Sequence, residues 1–504
     1  MVSRQIYNFH RHTNTESIPI ANTMYLIFIT LAFGLLCYIY RNRAIGSTTV
    51  DNSIKRFAGH LPIVGSLFTV LWNIEKRNDL LARELNKPKF SAVAIFIPFL
   101  PTVIAVNDPK SIEYILSENF DNYIKGPLLN ENLFDLFGHG IFNSDGALWY
   151  KQRKIAARIF TTRAFRLAFN SVFSSNMVSL NYYLSDCARS QVTVDMFDLF
   201  KRFLLDTFGT IGFGTDFQSL TTSKDEQFIN AFDTTQIAIA KRFLNPLWKL
   251  EEWIFPPEFE IVRKFGLSVV EDRRKTVDMN NTQSQFKDLL ELYMENDSEL
   301  TDDELTDHVL NFIIAARDST AQALSWTIFN LSQHPHVLSK LRKEISALMG
   351  DELIPDYDKI KEMKYALAVF RETLRLYPSV PKESKIAISD DILPNGTPIA
   401  SGTRIAWFPY AMGRNPNIWN NPMKFDPDRW IDGQLPTSFQ YPVFNAGPRT
   451  CLGKTLAELQ GVFVLVSIIT KFDIEVLNPE QVTYSNSLTL PLKNGLKCTI
   501  KHCI

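Results

Sequence analysis

The residue best suited to chemistry is Cys451, which lies in a loop that also contains Gly447 and Gly453. Glycines allow tight turns and close approach of the backbone. From Lys454 onward apolar residues recur at helical spacing, so Cys451 comes just before a helix N-terminus, where free N–H groups favour a thiolate. A lone cysteine cannot build a zinc site, but it can be the single protein ligand of a haem. A buried structural cysteine is the alternative.

A buried acid is the second candidate, in the middle of a long apolar stretch over residues 301–335. Thr301 and Glu304 have the spacing of a capping box and predict where one long helix begins. Asp318 lies near the centre of this helix, directly after Arg317. A buried carboxylate is costly unless something pairs with it or uses it. The sequence leaves open whether Asp318 takes part in chemistry or forms a structural ion pair with Arg317.

Two further pairs of residues have helical spacing. Trp149 and Arg153 are four residues apart and Glu372 and Arg375 are three apart, so each pair shares one face of a predicted helix. An isolated Glu–Arg pair is common and contributes only about 0.3 kcal/mol. Neither pair is informative by itself, and the alternative for Arg153 is an ordinary surface arginine.

Predicted helices and a group of short strands must position these residues. The helices cover residues 147–160, 301–335, 365–377 and the stretch from Lys454 onward, with Pro378 ending the third. Residues 143–145, Asn-Ser-Asp, are candidate N-caps of the first helix. Short strands fit around residues 385–407.

In chain order, these segments resemble the cytochrome P450 family. The loop reads Phe444-x-x-Gly447-x-Arg449-x-Cys451-x-Gly453, which is similar to the family's haem-binding signature. The resemblance implies a mainly α fold, with a large helical lobe and a small β-rich lobe. It also implies a haem b whose iron is ligated by the Cys451 thiolate, with Phe444 packed nearby.

The resemblance assigns further residues to the haem and its support. Those that would bind the cofactor, several of them through its propionates, are Trp149, Arg153, Lys385, Phe444, Arg449, Cys451 and Gly453. Those that would interlock and brace the proximal side of the haem, in a structural role, are Glu372, Arg375 and Arg429.

A proton relay is the remaining role that the resemblance implies, and its catalytic candidates are Asp318, Ser319 and Thr320. The segment resembles the family's distal helix, Ala-Gly-Arg-Asp-Thr-Thr, with two departures. Ala316 replaces the glycine beside the haem, and Ser319 replaces the first threonine. Serine keeps a hydroxyl that donates and accepts, so proton delivery remains feasible.

The function that the resemblance implies is monooxygenation, in which one oxygen atom of O2 enters a C–H bond of a lipophilic substrate. Electrons would come from NADPH through a separate flavoprotein reductase, because the chain offers no glycine loop for a flavin or nicotinamide domain. Residues 376–414 resemble plant and fungal members that hydroxylate long-chain fatty acids or alkanes, often at the terminal carbon. A sterol, terpenoid or xenobiotic hydroxylase, a hydroperoxide-rearranging isomerase and a haem-binding sensor are the alternatives.

An uncharged apolar segment, residues 23–40, predicts a transmembrane anchor, because a helix of this length reaches about 27 Å. Arg41 and Arg43 follow it and favour a cytosolic catalytic domain on the endoplasmic reticulum membrane. A mitochondrial membrane is the alternative, because residues 1–15 lack acids. The predicted domains are a short segment 1–22, the anchor 23–40, a linker 41–56 and a catalytic domain 57–504.

Composition narrows the class of protein. The formal net charge of -1 gives no sign of a nucleic-acid partner. The 5 cysteines are widely spaced and odd in number, which argues against a disulfide framework and for a reducing compartment. The 38 phenylalanines fit a large core, with or without an apolar ligand cavity inside it.

Overall fold

The computed structural model describes residues 20–87, 92–160, 166, 169–222, 224–279, 287–297, 299–431 and 433–503. These residues form mostly α-helices, together with three small sheets of six, three and two strands. The sequence prediction of a mainly α fold with a small β-rich part is therefore confirmed.

The elements have the following bounds. In chain order the α-helices span Ile20–Ile39, Leu67–Trp72, Arg77–Leu85, Pro109–Glu113, Gly126–Phe137, Gly146–Ala156, Ser174–Ser190, Met196–Phe213, Glu226–Arg242, Trp248–Ile254, Phe259–Met279, Leu289–Asn296, Asp302–Ile313, Ser319–Gln333, Pro335–Met349, Tyr357–Glu362, Lys364–Leu376, Pro409–Met412 and Lys454–Lys471. The π-helical turns span Tyr114–Glu118, Phe169–Phe173 and Ile314–Asp318, and the 3-10 turns span Phe120–Asn122, Pro427–Trp430, Pro442–Phe444, Gly447–Arg449 and Pro479–Gln481. The strands β1 to β11 are Lys55–Arg56, Ala92–Ile95, Val103–Val106, Tyr123–Ile124, Val194–Asp195, Glu383–Ala387, Asp391–Ile392, Pro398–Ile399, Arg404–Trp407, Phe472–Val476 and Lys497–His502.

The distal helix, our name for residues 302–333, begins as predicted. The Glu304 N–H donates to Thr301 Oγ1 at 3.2 Å, and the Thr301 N–H donates to Glu304 Oε2 at 2.9 Å. The prediction of one continuous α-helix needs correction, because the π turn Ile314–Asp318 interrupts it. Such turns occur frequently at functional sites, and this one ends directly before Ser319.

The six-stranded sheet has the strand order β1-β2-β3-β9-β6-β4. Strands β6 and β9 are antiparallel, and Ser384 pairs with Ala406 while Lys385 pairs with Ile405. Successive side chains on a strand point to opposite faces of the sheet. Ser384, Ala406 and Arg404 therefore share one face, and Lys385 lies on the other.

Two helices pack closely behind the cysteine loop. The cysteine helix, Lys454–Lys471, contacts the brace helix, Lys364–Leu376, and the C-terminal half of the distal helix. Gly461 allows this approach, because a Cβ atom there would lie 2.4 Å from the Phe370 ring. The buried side chains of the cysteine helix thus join one core with the distal helix.

The predicted anchor, residues 23–40, overlaps the helix Ile20–Ile39. Its described side chains include exposed apolar ones such as Met24 and Phe28. Across the residues that the structure describes, no helix has both the length and the apolar character that crossing a membrane requires. Residues 1–19, which include the stretch without acids, lie outside the described part of the chain.

Candidate active site

The loop that carries Cys451 is fixed by its own backbone and by a neighbouring turn. The Cys451 N–H donates to the Phe444 carbonyl oxygen at 2.8 Å. Gly447 has a φ of +63°, and a Cβ atom there would lie 2.0 Å from the Leu116 carbonyl oxygen. Only glycine fits this close approach in this backbone conformation, so the loop has one well-defined position before the cysteine helix.

Cys451 is exposed as a residue, although surrounding protein atoms desolvate its thiol strongly. This desolvation raises the pKa of the Cys451 thiol, whereas the Gly453 N–H and the cations Arg153 and Lys454 lower it by smaller amounts. The predicted effect of the helix N-terminus is present, but burial outweighs it. A coordinated metal ion deprotonates a thiol outright, so this sulfur suits metal ligation better than free thiolate chemistry.

Arg449 is part of the loop, and its side chain lies between a carboxylate and an aromatic ring. Its NH2 group donates to Asp145 Oδ1 at 2.8 Å and to the Ser144 carbonyl at 3.0 Å. Its guanidinium carbon lies 4.4 Å from the centre of the Trp149 ring, a cation–π distance. Its Nε is buried and has no hydrogen-bond partner among the described residues.

Asp145 occupies the N-cap position of the helix Gly146–Ala156, within the predicted residues 143–145. Its side chain makes no capping hydrogen bond, which corrects the prediction that it caps the helix in this way. The carboxylate accepts instead from Arg449 and from the Lys125 N–H at 3.0 Å. Asp145 therefore accepts hydrogen bonds from Arg449, which is distant in sequence, and not from the N–H groups at the start of its own helix.

Lys385 is a second buried cation close to Arg449. Its Nζ has no hydrogen-bond partner in the described residues and lies 5.7 Å from the centre of the Phe120 ring. Burial lowers the pKa of Lys385 far below its ordinary value, and Arg449 and Lys125 lower it further. A buried charge without a counter-ion is costly. Two propionate carboxylates would offset that cost, so the residues present fit the haem that the loop predicts.

Trp149 and Arg153 share one face of their helix as predicted, with 5.7 Å between the guanidinium carbon and the ring centre. Arg153 NH2 donates to the Thr450 carbonyl at 2.6 Å, so it holds the residue directly before Cys451. Burial lowers the pKa of Arg153, and the nearby Cys451 raises it. Propionate binding by Arg153 remains a prediction.

The structure brings Glu372, Arg375 and Arg429 together in one buried network. Arg375 donates twice to Glu372, at 2.8 and 2.9 Å, and Arg429 Nε donates to Glu372 Oε1 at 3.0 Å. The Trp430 indole N–H and the Asp426 backbone N–H also donate to Glu372, at 2.9 and 2.8 Å. The network ties the brace helix to the turn Pro427–Trp430.

Asp318 lies inside an ion-pair chain. Its Oδ1 accepts from Arg317 NH1 at 2.7 Å, and its Oδ2 accepts from Gln236 Nε2 at 2.6 Å. Arg317 also donates to Asp233, which accepts from Lys201. Burial raises the pKa of Asp318, and Arg317 counteracts this rise. The ion pair that the sequence left open is therefore present, and it holds the carboxylate directly behind Ser319.

Ser319 is the relay candidate that faces open space. Its Oγ donates to the Ala315 carbonyl at 2.5 Å, and both residues line an internal cavity. Thr320 is buried in the next helical position. Among the described residues, the relay therefore has one member at the cavity wall and two members behind it.

The cavity beside Ser319 has a volume of about 300 Å³. Most of its wall is apolar, from side chains such as Leu80, Leu129, Phe137 and Ile314. This composition is typical of sites for lipophilic small molecules. We call this space the distal cavity.

Among the described residues, five cations in the wall of the distal cavity were not singled out by sequence reasoning. Lys125 and Arg242 form ion pairs with carboxylates, whereas Arg77, Lys382 and Arg404 form none within the described part of the chain. The available signal was the alternation of side chains along strand β6, which sends Lys385 to one face of the sheet and its neighbours in the strand to the other. That signal could not be used without the pairing register of the sheet.

Comparisons with known proteins agree with this geometry. A family model described as Cytochrome P450 matches residues 57–498. Cytochrome P450 monooxygenase cyp1 of Mycosarcoma maydis is 33% identical over 95% of this chain and 80% of that protein. Alkane hydroxylase MAH1 of Arabidopsis thaliana is 33% identical over 78% of this chain and 82% of its own length.

A solved structure, the cytochrome P450DA heme domain, covers 92% of this chain and 99% of its own, with a TM-score of 0.76 and 21% identity. That likeness establishes the fold, and the family match and the relatives establish the membership. The chain therefore belongs to the cytochrome P450 family of haem-thiolate monooxygenases.

Proposed function

We propose that this monooxygenase hydroxylates a long-chain aliphatic substrate, a fatty acid or an alkane, towards its terminal carbon. The observation that carries the proposal is the distal cavity, whose mostly apolar wall reaches Ser319 and Ala315 on the distal helix. The name of the Arabidopsis thaliana relative, alkane hydroxylase, supports the same substrate class. Residues 376–414 resemble members with this activity.

The haem would be held from one side by Cys451. Lys385 and Arg449 are placed to bind its propionates, because each has a buried donor without a partner in the described residues. Arg153 donates to the Thr450 carbonyl and the Phe444 carbonyl accepts from the Cys451 N–H, so both fix the backbone at Cys451. When bound, the haem supplies dioxygen activation.

The protein's own part in the reaction is orientation, exclusion of water and movement of a proton. Apolar side chains of the distal cavity leave few polar groups to hold water near the substrate. The Ser319 hydroxyl can donate and accept at one oxygen, so it can pass a proton towards the cavity. Asp318 lies behind it with its carboxylate fixed by Arg317 and Gln236, and Thr320 adds a second hydroxyl.

Electrons would come from NADPH through a separate flavoprotein reductase. The exposed Lys154 on the helix Gly146–Ala156 is a candidate contact for an acidic partner. Lys151 is less available, because its Nζ lies 2.5 Å from Asp297 Oδ2. We further propose the endoplasmic reticulum membrane as the location, with residues 23–40 as the anchor and a mitochondrial membrane as the alternative.

The test supplies the full-length protein with reductase and NADPH and offers fatty acids, alkanes, sterols and terpenoids. Products are identified by mass spectrometry, with Ser319→Ala as the matched variant. We expect hydroxylated aliphatic chains from the wild type, and less product per NADPH consumed from Ser319→Ala. Oxidation of sterols or terpenoids alone would overturn the substrate class, and product without NADPH would favour the isomerase alternative.

A further inference from the structure

Three cationic side chains line the distal cavity without an acidic partner. Arg77, Lys382 and Arg404 form no salt bridge with any described residue. Arg404 donates from Nε and NH2 to Ser384 Oγ, both at 3.2 Å, and its guanidinium carbon lies 4.9 Å from the centre of the Phe243 ring. A neutral hydroxyl and an aromatic face position this guanidinium without neutralising it.

The sheet separates these cations from those that suit the haem. Arg404 and Ser384 lie on the face of strands β6 and β9 that borders the distal cavity, together with Ala406. Lys385 points to the opposite face, where Arg449 and Lys125 are the cations that repel it. The strand pair therefore places Arg404 and Lys385 on opposite faces, and the haem propionates would engage only the face of Lys385.

The positive charges of these three cavity cations are poorly compensated by negative groups of the described residues. Burial lowers the pKa of Arg77 and of Arg404 to about 10. It also lowers the pKa of Lys382 far below its ordinary value, and repulsion by Arg77 and Arg404 adds to this effect. Lys382 therefore lies near both Arg77 and Arg404, in the wall of the cavity that all three line.

Nearby carboxylates are already engaged. Glu383 Oε2 lies 3.7 Å from Lys125 Nζ. Asp79 accepts hydrogen bonds from the Tyr410 and Tyr484 hydroxyls at 2.6 and 2.8 Å. An anion from outside the protein would therefore be the main partner for these cations.

We propose that Arg77, Lys382 and Arg404 bind the carboxylate of a long-chain fatty acid at the wall of the distal cavity. The inference rests on the proposed function and narrows it from aliphatic substrates in general to fatty acids. With the carboxylate held at the cations, the alkyl chain extends along the apolar wall towards Ser319. Carbon atoms far from the carboxylate then reach the distal helix, in keeping with the proposed attack near the chain end.

The experiment measures binding of hexadecanoate and of 1-hexadecanol to the full-length, haem-loaded protein by isothermal titration calorimetry. The two probes share an alkyl chain and differ in charge. We compare the wild type with Lys382→Met, with Arg77→Met, with Lys382→Arg, and with Lys343→Met as a control at an exposed lysine. Unfolding temperatures without ligand are recorded for each.

Removing one charged hydrogen-bond donor should weaken hexadecanoate binding by roughly 10- to 100-fold. Binding of 1-hexadecanol should change by less than about threefold, and Lys382→Arg should restore most of the affinity for the acid. Lys382→Met should unfold at the same temperature as the wild type or higher, because it removes an amine that is desolvated and repelled by Arg77 and Arg404. If Lys382 only supported the fold, Lys382→Met would unfold at a lower temperature and would bind hexadecanoate and 1-hexadecanol with equal losses of affinity.

Unchanged hexadecanoate binding in Lys382→Met and in Arg77→Met, or equal losses for acid and alcohol, overturns the carboxylate site. If the wild type still hydroxylates fatty acids in that case, the proposed function stands. If the wild type neither binds nor oxidises long-chain acids or alkanes, both proposals fall together.

Discussion

Replacement of Glu372 by glutamine should destabilise the protein more than any comparable loss of charge at a partly exposed site. Glu372 and Arg375 are both 0% exposed. The Glu372→Gln variant leaves the Arg375 guanidinium with its full charge and without a buried counter-charge. Breaking a buried pair in this way costs about 3–5 kcal/mol of unfolding free energy.

The geometry of the acceptor adds to this cost. Glu372 Oε1 accepts from Arg375, Arg429 and the Asp426 N–H, and Oε2 accepts from Arg375 and Trp430. Whichever oxygen becomes an amide NH2 will face at least two donors. No rotation of the glutamine side chain relieves this conflict.

Urea denaturation followed by far-ultraviolet circular dichroism measures the effect. The matched control is Glu458→Gln, because Glu458 pairs with Arg371 while their side chains are 12% and 23% exposed. Greater exposure allows water to compensate, so we expect a loss of about 1 kcal/mol from the control. A loss below about 1 kcal/mol for Glu372→Gln, or a loss equal to the control, would refute the bracing role.

Three further outcomes follow from the structure. Burial lowers the pKa of His308 from 6.5 to about 4, so the folded state disfavours the protonated imidazole. The folding stability that neutral His308 contributes is therefore fully present above pH 6.5 and is lost as the pH falls towards 4. The wild type should therefore lose about 2 kcal/mol more than His308→Phe between pH 7 and pH 5 in urea titrations, and equal losses would contradict this. Gly447→Ala should lower the unfolding free energy by about 3 kcal/mol or more, because the alanine Cβ atom would collide with the Leu116 carbonyl. It should also lower the haem content. Lys385→Met should release haem to apomyoglobin roughly 10-fold faster than Lys343→Met does, and equal rates would remove Lys385 from the propionate site.

Local sequence signals predicted those features that depend on neighbours in the chain. The capping box of Thr301 and Glu304 needs only a three-residue spacing, and the structure contains both of its hydrogen bonds. The helix after Cys451 follows from its apolar spacing and from the glycines before it. The resemblance to the family then predicted the fold, which the solved structure confirms, and the iron ligand, which stays a prediction.

Features that depend on distant partners were not predictable in the same way. The carboxylate of Asp145 sits at a helix start, yet it binds Arg449, some three hundred residues further along. Ser384 and Lys385 are adjacent, but the register of β6 against β9 sends them to different faces, and only Ser384 borders the distal cavity. The π turn before Ser319 has no composition of its own that separates it from the α-helix around it.

The central claim is that the sulfur of Cys451 ligates a haem iron, and absorption of the reduced, carbon-monoxide-treated protein tests it most directly. The wild type and Cys187→Ala, which alters a buried cysteine outside the loop, should both give the Soret band of a thiolate-ligated haem. Cys451→Ala should lose that band, even where it retains haem. A thiolate-type band that persists in Cys451→Ala, or one that never forms in the wild type, would contradict the account.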